Sequence, residues 1–304
     1  MTDITAQGKN SVCETAVALG IFDGIHKGHS AVLERTKEAK GSGLVPAVFT
    51  FNTQSIITKH DEPYRFIMPD SEKLQMLDDM GIGYVCSPDF EVMKEMSAED
   101  FVRLILIEKM NAKAVVCGPE FRFGKDASCG YSELRQFGEK YGFEVFLVKP
   151  FTIDNIPVSS SYIKELIKNG DVEKAEMFLG RSPSVYGEVI HGNEIGRTID
   201  FPTINQAFYE NQVIPKFGVY VSQTLVSGKS YRSVTNIGVK PTVENNGKPV
   251  CETHLLDFSS DLYGSTVRVT LLEYIRGECR FGSLDELKEQ IGKDICAAKM
   301  CRRN

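Results

Sequence analysis

Tryptophan is absent from the 304-residue chain, and its eight cysteines never fall into a C-x-x-C pair. Scattered at positions 13, 86, 117, 129, 251, 279, 296 and 301, they suit neither a disulfide framework nor a thiolate zinc site, and reduced thiols are expected. Five histidines in all leave little material for an imidazole metal cluster. No apolar run approaches the roughly 20 residues that span a bilayer, so no membrane partner is expected. The opening residues, MTDITAQGKNS, lack the apolar core of a secretory signal, and a cytoplasmic location is expected. Excess positive charge is missing too: 35 Lys and Arg against 41 Asp and Glu leave a net charge of −6, which argues against a nucleic-acid partner. There is no internal repeat and no low-complexity tract. The composition itself, 42% hydrophobic and 25% charged, is that of a globular chain long enough for two cores.

Two halves differ in period. In the first, short apolar runs alternate with helical patterns. "TAVALG" (15–20) and "LVPAVFTF" (44–51) read as buried strands. "HSAVLERTKEAK" (29–40) is a helix with Val32, Leu33, Thr36 and Ala39 on one face, and "SEKLQMLDDMG" (71–81) one with Leu74, Leu77 and Met80 inward. "SAEDFVRLILIEKM" (97–110) opens with Ser97 as N-cap and Asp100 at the third helical position. "AKAVVCG" (112–118), a helix over 132–141 and "FEVFLVK" (143–149) follow. Strands alternating with helices predict βαβ crossovers and a parallel sheet, with ligands beyond the carboxyl ends of the strands. From about residue 184, "YGEVIHG", "FGVYVSQTLVSG", "YRSVTNIGV", "CETHLLDF" and "STVRVTLLEYIR" are strand-like runs between Gly-containing turns, the pattern of an antiparallel barrel or sandwich. A final helix over 283–300 carries Ser283 and Glu286 as a capping box and Leu284, Leu287, Ile291 and Ile295 as a stripe. The boundary is expected in "GRSPSVYG" (180–187), giving domains 1–182 and 183–304.

One stretch carries chemistry most visibly. "FDGIHKGH" (22–29) sets His26 and His29 three apart at a strand-to-helix turn. Free N–H groups and the helix dipole favour an anion there, and two imidazoles add compact donors to a phosphate. Metal ligation and two surface histidines in a turn are the competing readings.

The whole octapeptide resembles the H-x-G-H signature of the nucleotidyltransferase superfamily, whose members bind ATP with these histidines and transfer its adenylyl group. "GPEFRFG" (118–124) resembles that family's G-x-D-F-R-F-G loop, and "VSSSYIKELIKNGDVEKAEMFLGR" (158–181) its S-S-T-x-I-R helix. "GEVIHGNEIGRTIDFPTIN" (187–205) resembles the riboflavin kinase motif around P-T-x-N, with "NIGVKPT" (236–242), "ETHLLDF" (252–258) and "DLYG" (261–264) as companions. In this order and over nearly the whole chain, the motifs resemble the bacterial bifunctional riboflavin kinase/FAD synthetases.

That resemblance implies an α/β protein: an N-terminal Rossmann-like nucleotidyltransferase domain with a parallel sheet, then a C-terminal antiparallel β-barrel kinase domain ending in a helix. It implies phosphorylation of riboflavin by ATP to FMN and ADP, then adenylyl transfer from a second ATP to FMN, giving FAD and pyrophosphate, with Mg²⁺ as cofactor. His26 and His29 would contact the ATP phosphates, with Asp23, Gly24 and Gly28 shaping their turn. Ser159, Ser160 and Ser161 would receive phosphate and Lys164 add charge, although serines ahead of a helix also serve as plain N-caps. Phe121 and Phe123 would meet flavin or adenine and Arg122 phosphate, although alternating Phe also suits core packing. In the second half the general base would be Glu252, which on a strand also suits a solvated face. Thr203 and Asn205 would hold Mg²⁺, Gly192 and Gly196 would fold over ATP phosphates, and Arg276 and Phe281 would form a flap over the flavin. The chain departs from the family pattern at Asn52, Glu120, Ser161, Lys164 and Asp200. Lys164 keeps the charge of the usual arginine without its bidentate fork. Two alternatives follow: a kinase-only enzyme with a degenerate first domain, and a non-catalytic flavin-binding regulator.

Overall fold

A computed structural model describes residues 1–6, 8–56, 64–191, 201–239 and 247–303. The chain divides into two units, Met1–Ser160 and Ser161–Asn304.

The first unit is built on six short strands: β1 (Thr2–Asp3), β2 (Thr15–Leu19), β3 (Val45–Phe49), β4 (Tyr84–Cys86), β5 (Ala112–Cys117) and β6 (Glu144–Leu147). They form one sheet in the order β1-β4-β3-β2-β5-β6, and every neighbouring pair is parallel. β2 lies inside the sheet and is buried along its whole length, which explains why its sequence is apolar without alternation. Around the sheet run α1 (Lys27–Glu38), α2 (Asp70–Asp79), α3 (Phe90–Met93), α4 (Ala98–Asp100), which continues as a π-helical run Phe101–Lys109, and α5 (Tyr131–Tyr141). A small hairpin, β7 (Thr152–Ile153) and β8 (Ile156–Pro157), follows β6. The core joins Val17, Leu19, Phe49 and Val115 of the sheet to Phe101, Val102, Leu106 and Leu134 of the helices. Ser97 caps α4 as expected, accepting from the Asp100 amide at 3.1 Å. Strand order reverses between β2 and β5, so the crevice beyond their carboxyl ends is the place where doubly wound sheets take ligands.

α2 departs from expectation. Its buried residues are Lys73 and Leu77; Leu74 and Met80 are only half-buried. The Lys73 ammonium finds an ion pair and hydrogen bonds at the exit of β3, so burying the charge is offset and the helix turns that face inward.

The second unit opens with α6 (Ser160–Asn169), whose first residue is the last of the first unit, and α7 (Val172–Leu179). Six strands then close a barrel: β9 (Ser184–Ile190), β10 (Ile204–Ala207), β11 (Gly218–Val226), β12 (Lys229–Val239), β13 (Pro249–Leu255) and β14 (Thr266–Arg276). Their order is β10-β13-β12-β11-β14-β9, antiparallel throughout. Part of the interior is apolar, and Val172 of α7 joins Val185, Tyr220, Ile237, Cys251, Val269 and Leu271 there. The rest is a ladder of fully buried hydroxyls. Thr224 meets Ser233 (2.9 Å), Ser233 meets Ser222 (3.0 Å), Ser222 meets Thr235 (2.7 Å) and Thr235 meets Thr253 (2.9 Å). Within this ladder each hydroxyl has a hydroxyl partner, which offsets the cost of burying it.

The chain ends in α8 (Leu284–Met300), capped by Ser283, whose hydroxyl accepts from the Glu286 amide at 3.2 Å. Ala298 seats on Val219, Val221, Val234, Leu256 and Leu272, with Ile295 and Cys301 beside it. Of the expected stripe, Leu287, Ile291 and Ile295 are half-buried but Leu284 is 58% exposed, and the fully buried positions are Asp294 and Ala298. Asp294 turns inward because it binds Arg276 through two oxygens.

Candidate active sites

In the first unit, β2 ends at Leu19 and the chain reverses into α1 through a tight turn. Phe22 (φ 54°), Gly24 (φ 77°) and Ile25 (φ 37°) all hold left-handed backbone, which costs energy at the two non-glycine positions and persists only where the surroundings impose it. The surroundings here centre on Asp23, which is 1% exposed. Its carboxylate accepts from the Ile67 amide at 2.8 Å and the Tyr64 hydroxyl at 3.0 Å. Burial, and then the Asp23 charge, push the Tyr64 phenol far above its usual range, so it stays a protonated donor. The Asp23 carbonyl accepts from Ser160 Oγ at 3.0 Å, which holds Ser160, the last residue of the first unit, against the histidine turn.

His26 caps α1, and its Nδ1 accepts from the His29 amide at 3.1 Å. In a neutral ring the proton therefore sits on Nε2. The two imidazoles stack at 3.6 Å between centroids and 13° between planes. Gly28 permits this: a Cβ there would stand 3.2 Å from the His26 ring. Ser159 and Ser160 are half-buried, Ser161 is exposed, and Lys164 lies one helical turn beyond Ser160 in α6. At the exit of β5, Phe121 is half-buried and Phe123 is 6% exposed inside the core, their rings stacked at 5.8 Å. Phe123 also exchanges two backbone bonds with Cys129. The Arg122 guanidinium lies back against Gly130, where a Cβ would meet it at 2.6 Å. Glu120 is exposed, and Asn52 donates to Asp89 at 3.0 Å.

In the second unit, register decides the site. Asn205 on β10 stands opposite Glu252 on β13, and Glu252 stands opposite Asn236 on β12. Directly paired residues share a face with Cβ atoms about 5 Å apart, so the three form one row. Cys251 and Thr253 are buried in the interior, so the Glu252 row lies on the outer face. Asn205 is 6% exposed and Glu252 half-buried. Two residues past Glu252, His254 Nδ1 donates to the Pro202 carbonyl at 2.8 Å, which keeps the segment carrying Thr203 beside β13. Arg276 donates to Asp294 through Nε (3.1 Å) and Nη2 (2.7 Å), and Phe281 lies 5.9 Å from its guanidinium. Gly192, Gly196 and Asp200 lie outside the described residues.

Tyr64, which holds the Asp23 carboxylate from 41 positions away, carries no local signal in the sequence.

A doubly wound sheet with a histidine-capped turn at its switch point is followed in one chain by a closed six-stranded barrel, an arrangement suited to a two-domain nucleotide-dependent transferase. A family model described as FAD synthetase matches residues 8–162, and one described as riboflavin kinase matches residues 179–301. The chain is 34% identical over 287 residues to the bifunctional riboflavin kinase/FMN adenylyltransferase of Escherichia coli K12, covering 93% of this chain and 91% of that protein. It is 33% identical over 294 residues to the protein of the same name from Bacillus subtilis 168, covering 94% and 92%. A solved structure from Streptococcus pneumoniae, described as a macrolide-efflux protein, is 30% identical with a TM-score of 0.87 over 99% of both chains. The chain belongs to the bifunctional riboflavin kinase/FMN adenylyltransferase family. Among the described residues no helix is long and apolar enough to cross a membrane.

Proposed function

We propose that residues 183–304 phosphorylate riboflavin and residues 1–182 adenylylate the FMN so formed, in the cytoplasm. The observation that carries the first-domain assignment is the histidine turn: His26 caps α1, His29 stacks on it, and Ser160 bonds the Asp23 carbonyl, all beyond the carboxyl end of β2. There an FMN phosphate oxygen attacks the α-phosphorus of ATP and the bond to the β-phosphate breaks, releasing pyrophosphate. The nucleophile arrives ionised, so the work is alignment and charge neutralisation. His26 Nε2–H and His29 donate to phosphate oxygens, the serine segment and Lys164 add donors and charge, and Asp23 holds the turn. Phe121 is the flavin or adenine contact, Phe123 supports it from the core, and Arg122 serves phosphate.

In the kinase the ribityl 5′-hydroxyl attacks the γ-phosphorus, its proton passes to the Glu252 carboxylate, and ADP leaves. Asn205 opposite Glu252, with Thr203 just ahead of β10, supplies hard oxygen donors. That donor set fits Mg²⁺, which keeps several waters and phosphate oxygens as ligands rather than an all-protein cage. Bound there, Mg²⁺ supplies charge neutralisation at the phosphates. Arg276, held by Asp294, anchors the segment carrying Phe281, the candidate flap over the flavin; Gly192 and Gly196 are the candidate phosphate cover.

Incubating the full chain with riboflavin and Mg-ATP tests this reading by chromatography. FMN appearing first and FAD after it is the expected result. FMN alone would mean that the first site does not catalyse, and neither product would leave a flavin binder.

A further inference from the structure

The most unusual group that the two reactions do not use is a lysine ammonium inside the first unit. Lys73 is 1% exposed, on the first turn of α2. Its Nζ donates to the Phe51 carbonyl at 2.8 Å and Thr50 Oγ1 at 3.4 Å, and pairs with Asp70 at 2.6 Å. Two hydrogen-bond acceptors and one carboxylate partner thus surround the ammonium, which makes its burial tolerable. Burial nevertheless holds its pKa below the ordinary lysine value, against the opposing pull of Asp70 and Asp23.

Each partner leads to a different strand exit. Thr50, fully buried just past β3, donates in turn to the Ile21 carbonyl at 2.7 Å. Ile21 immediately precedes Phe22, where the left-handed stretch begins. Asp70 accepts from the Thr53 amide at 2.9 Å with its other oxygen. Asp70 also ends the segment whose Tyr64 and Ile67 hold the Asp23 carboxylate. Lys73 therefore joins the exit of β2, the exit of β3 and the segment 64–70. Apolar packing resists compression but does not fix a carbonyl's direction, whereas a hydrogen-bonded brace does.

We propose that Lys73 is a positioning residue for adenylyl transfer: through Thr50 it sets the direction of the Ile21 carbonyl and so the strained turn that presents His26 and His29. The inference rests on the reading of that turn as the adenylyl-transfer site.

The test uses full-length Lys73→Met, Thr50→Val, Thr50→Ser and the double variant Lys73→Met/Thr50→Val. All are assayed at a temperature where circular dichroism shows each one fully folded. Lys73→Met is expected to lower kcat for FAD formation from FMN and ATP by about 10²-fold, the scale of an ångström-level misplacement. KM for FMN and for ATP should stay within about threefold, because alignment in the transition state is lost rather than substrate binding. Riboflavin phosphorylation should stay within about twofold, because it belongs to a separate site. Thr50→Val should lower kcat about tenfold while Thr50→Ser, which keeps the hydroxyl, restores it, and the double variant should be little worse than Lys73→Met alone, as for residues acting through one another. A folded Lys73→Met with unchanged FAD formation, or a double variant equal to the product of the singles, would overturn the proposal. Should Lys73→Met not fold, the Thr50 pair decides: equal activity of Val and Ser overturns the brace, and a gap between them sustains it. His29→Ala run in parallel separates the premises, since a His29→Ala protein that still makes FAD removes the site itself, whatever Lys73 does.

Discussion

Gly28 shows how much one missing Cβ decides. The His26 ring lies over the first turn of α1, and a Cβ at residue 28 would stand 3.2 Å from it, close enough that the ring would have to shift by a few tenths of an ångström. Gly28→Ala is therefore expected to lower FAD formation while leaving FMN formation unchanged, measured as the two products from the full chain. Glu252 makes the opposite case, where a charge rather than a space matters. Glu252→Gln keeps shape and register opposite Asn205 but cannot take a proton, so FMN formation should fall by roughly 10²-fold or more, the usual scale for a general base. Unchanged kinase turnover in the folded variant would remove Glu252 from the reaction. Thiols divide by burial: it pushes Cys86 and Cys251 up to about 12 and Cys117 up to about 11. The thiolate is the reactive form, so alkylation of the native protein near pH 8 should label the exposed Cys13, Cys279 and Cys296 and spare those three. Peptide mapping by mass spectrometry reads the result, and a labelled Cys251 in folded protein would contradict it.

Among the elements, α8 joins stability to the candidate flap. Its Asp294, 3% exposed in the side chain, binds an Arg276 that is 20% exposed, and Gln290 donates to the same carboxylate at 2.9 Å. Removing the carboxylate leaves the guanidinium facing a neutral, half-filled site. Asp294→Ala should destabilise the second unit by roughly 3 kcal/mol, the lower end for breaking a buried pair because Arg276 keeps some contact with water. It should also raise KM for riboflavin, since the segment carrying Phe281 loses its anchor. Urea unfolding and steady-state kinetics check the two halves, and an unchanged unfolding midpoint would show that the pair contributes nothing.

At the scale of the whole molecule, two boundaries coexist. The turn and composition signals fall at 180–187, whereas the compact units divide between Ser160 and Ser161. Residues 163–178 lie between the two matched family models. Val172, fully buried, fills the barrel core from α7. A fragment 161–304 and a fragment 183–304 are both expected to phosphorylate riboflavin. The shorter one should be less stable by at least about 1.5 kcal/mol, the worth of one buried aliphatic side chain. Equal urea midpoints would show that α6 and α7 do not support the barrel.

Local sequence determined what is local. Alternating strands and helices, the all-apolar β2, the Ser97 and Ser283 caps and the strand runs after residue 184 are written within windows of a few residues, where pattern and propensity act directly. The histidine turn was legible for the same reason, and the motifs around Asn205 and Glu252 marked the candidate second site, whose residues the kinetic tests above address. Tertiary structure alone decided what joins distant segments. Only the strand order brings the exits of β2 and β5 to one switch point, and only barrel register sets Asn205 opposite Glu252. The inward turn of Lys73 was out of reach for sequence because its acceptors, the Phe51 carbonyl and Thr50 Oγ1, lie 22 and 23 positions away. Asp70, three positions before Lys73, supplies the opposite charge locally, but the two hydrogen-bond acceptors exist only once the sheet has formed.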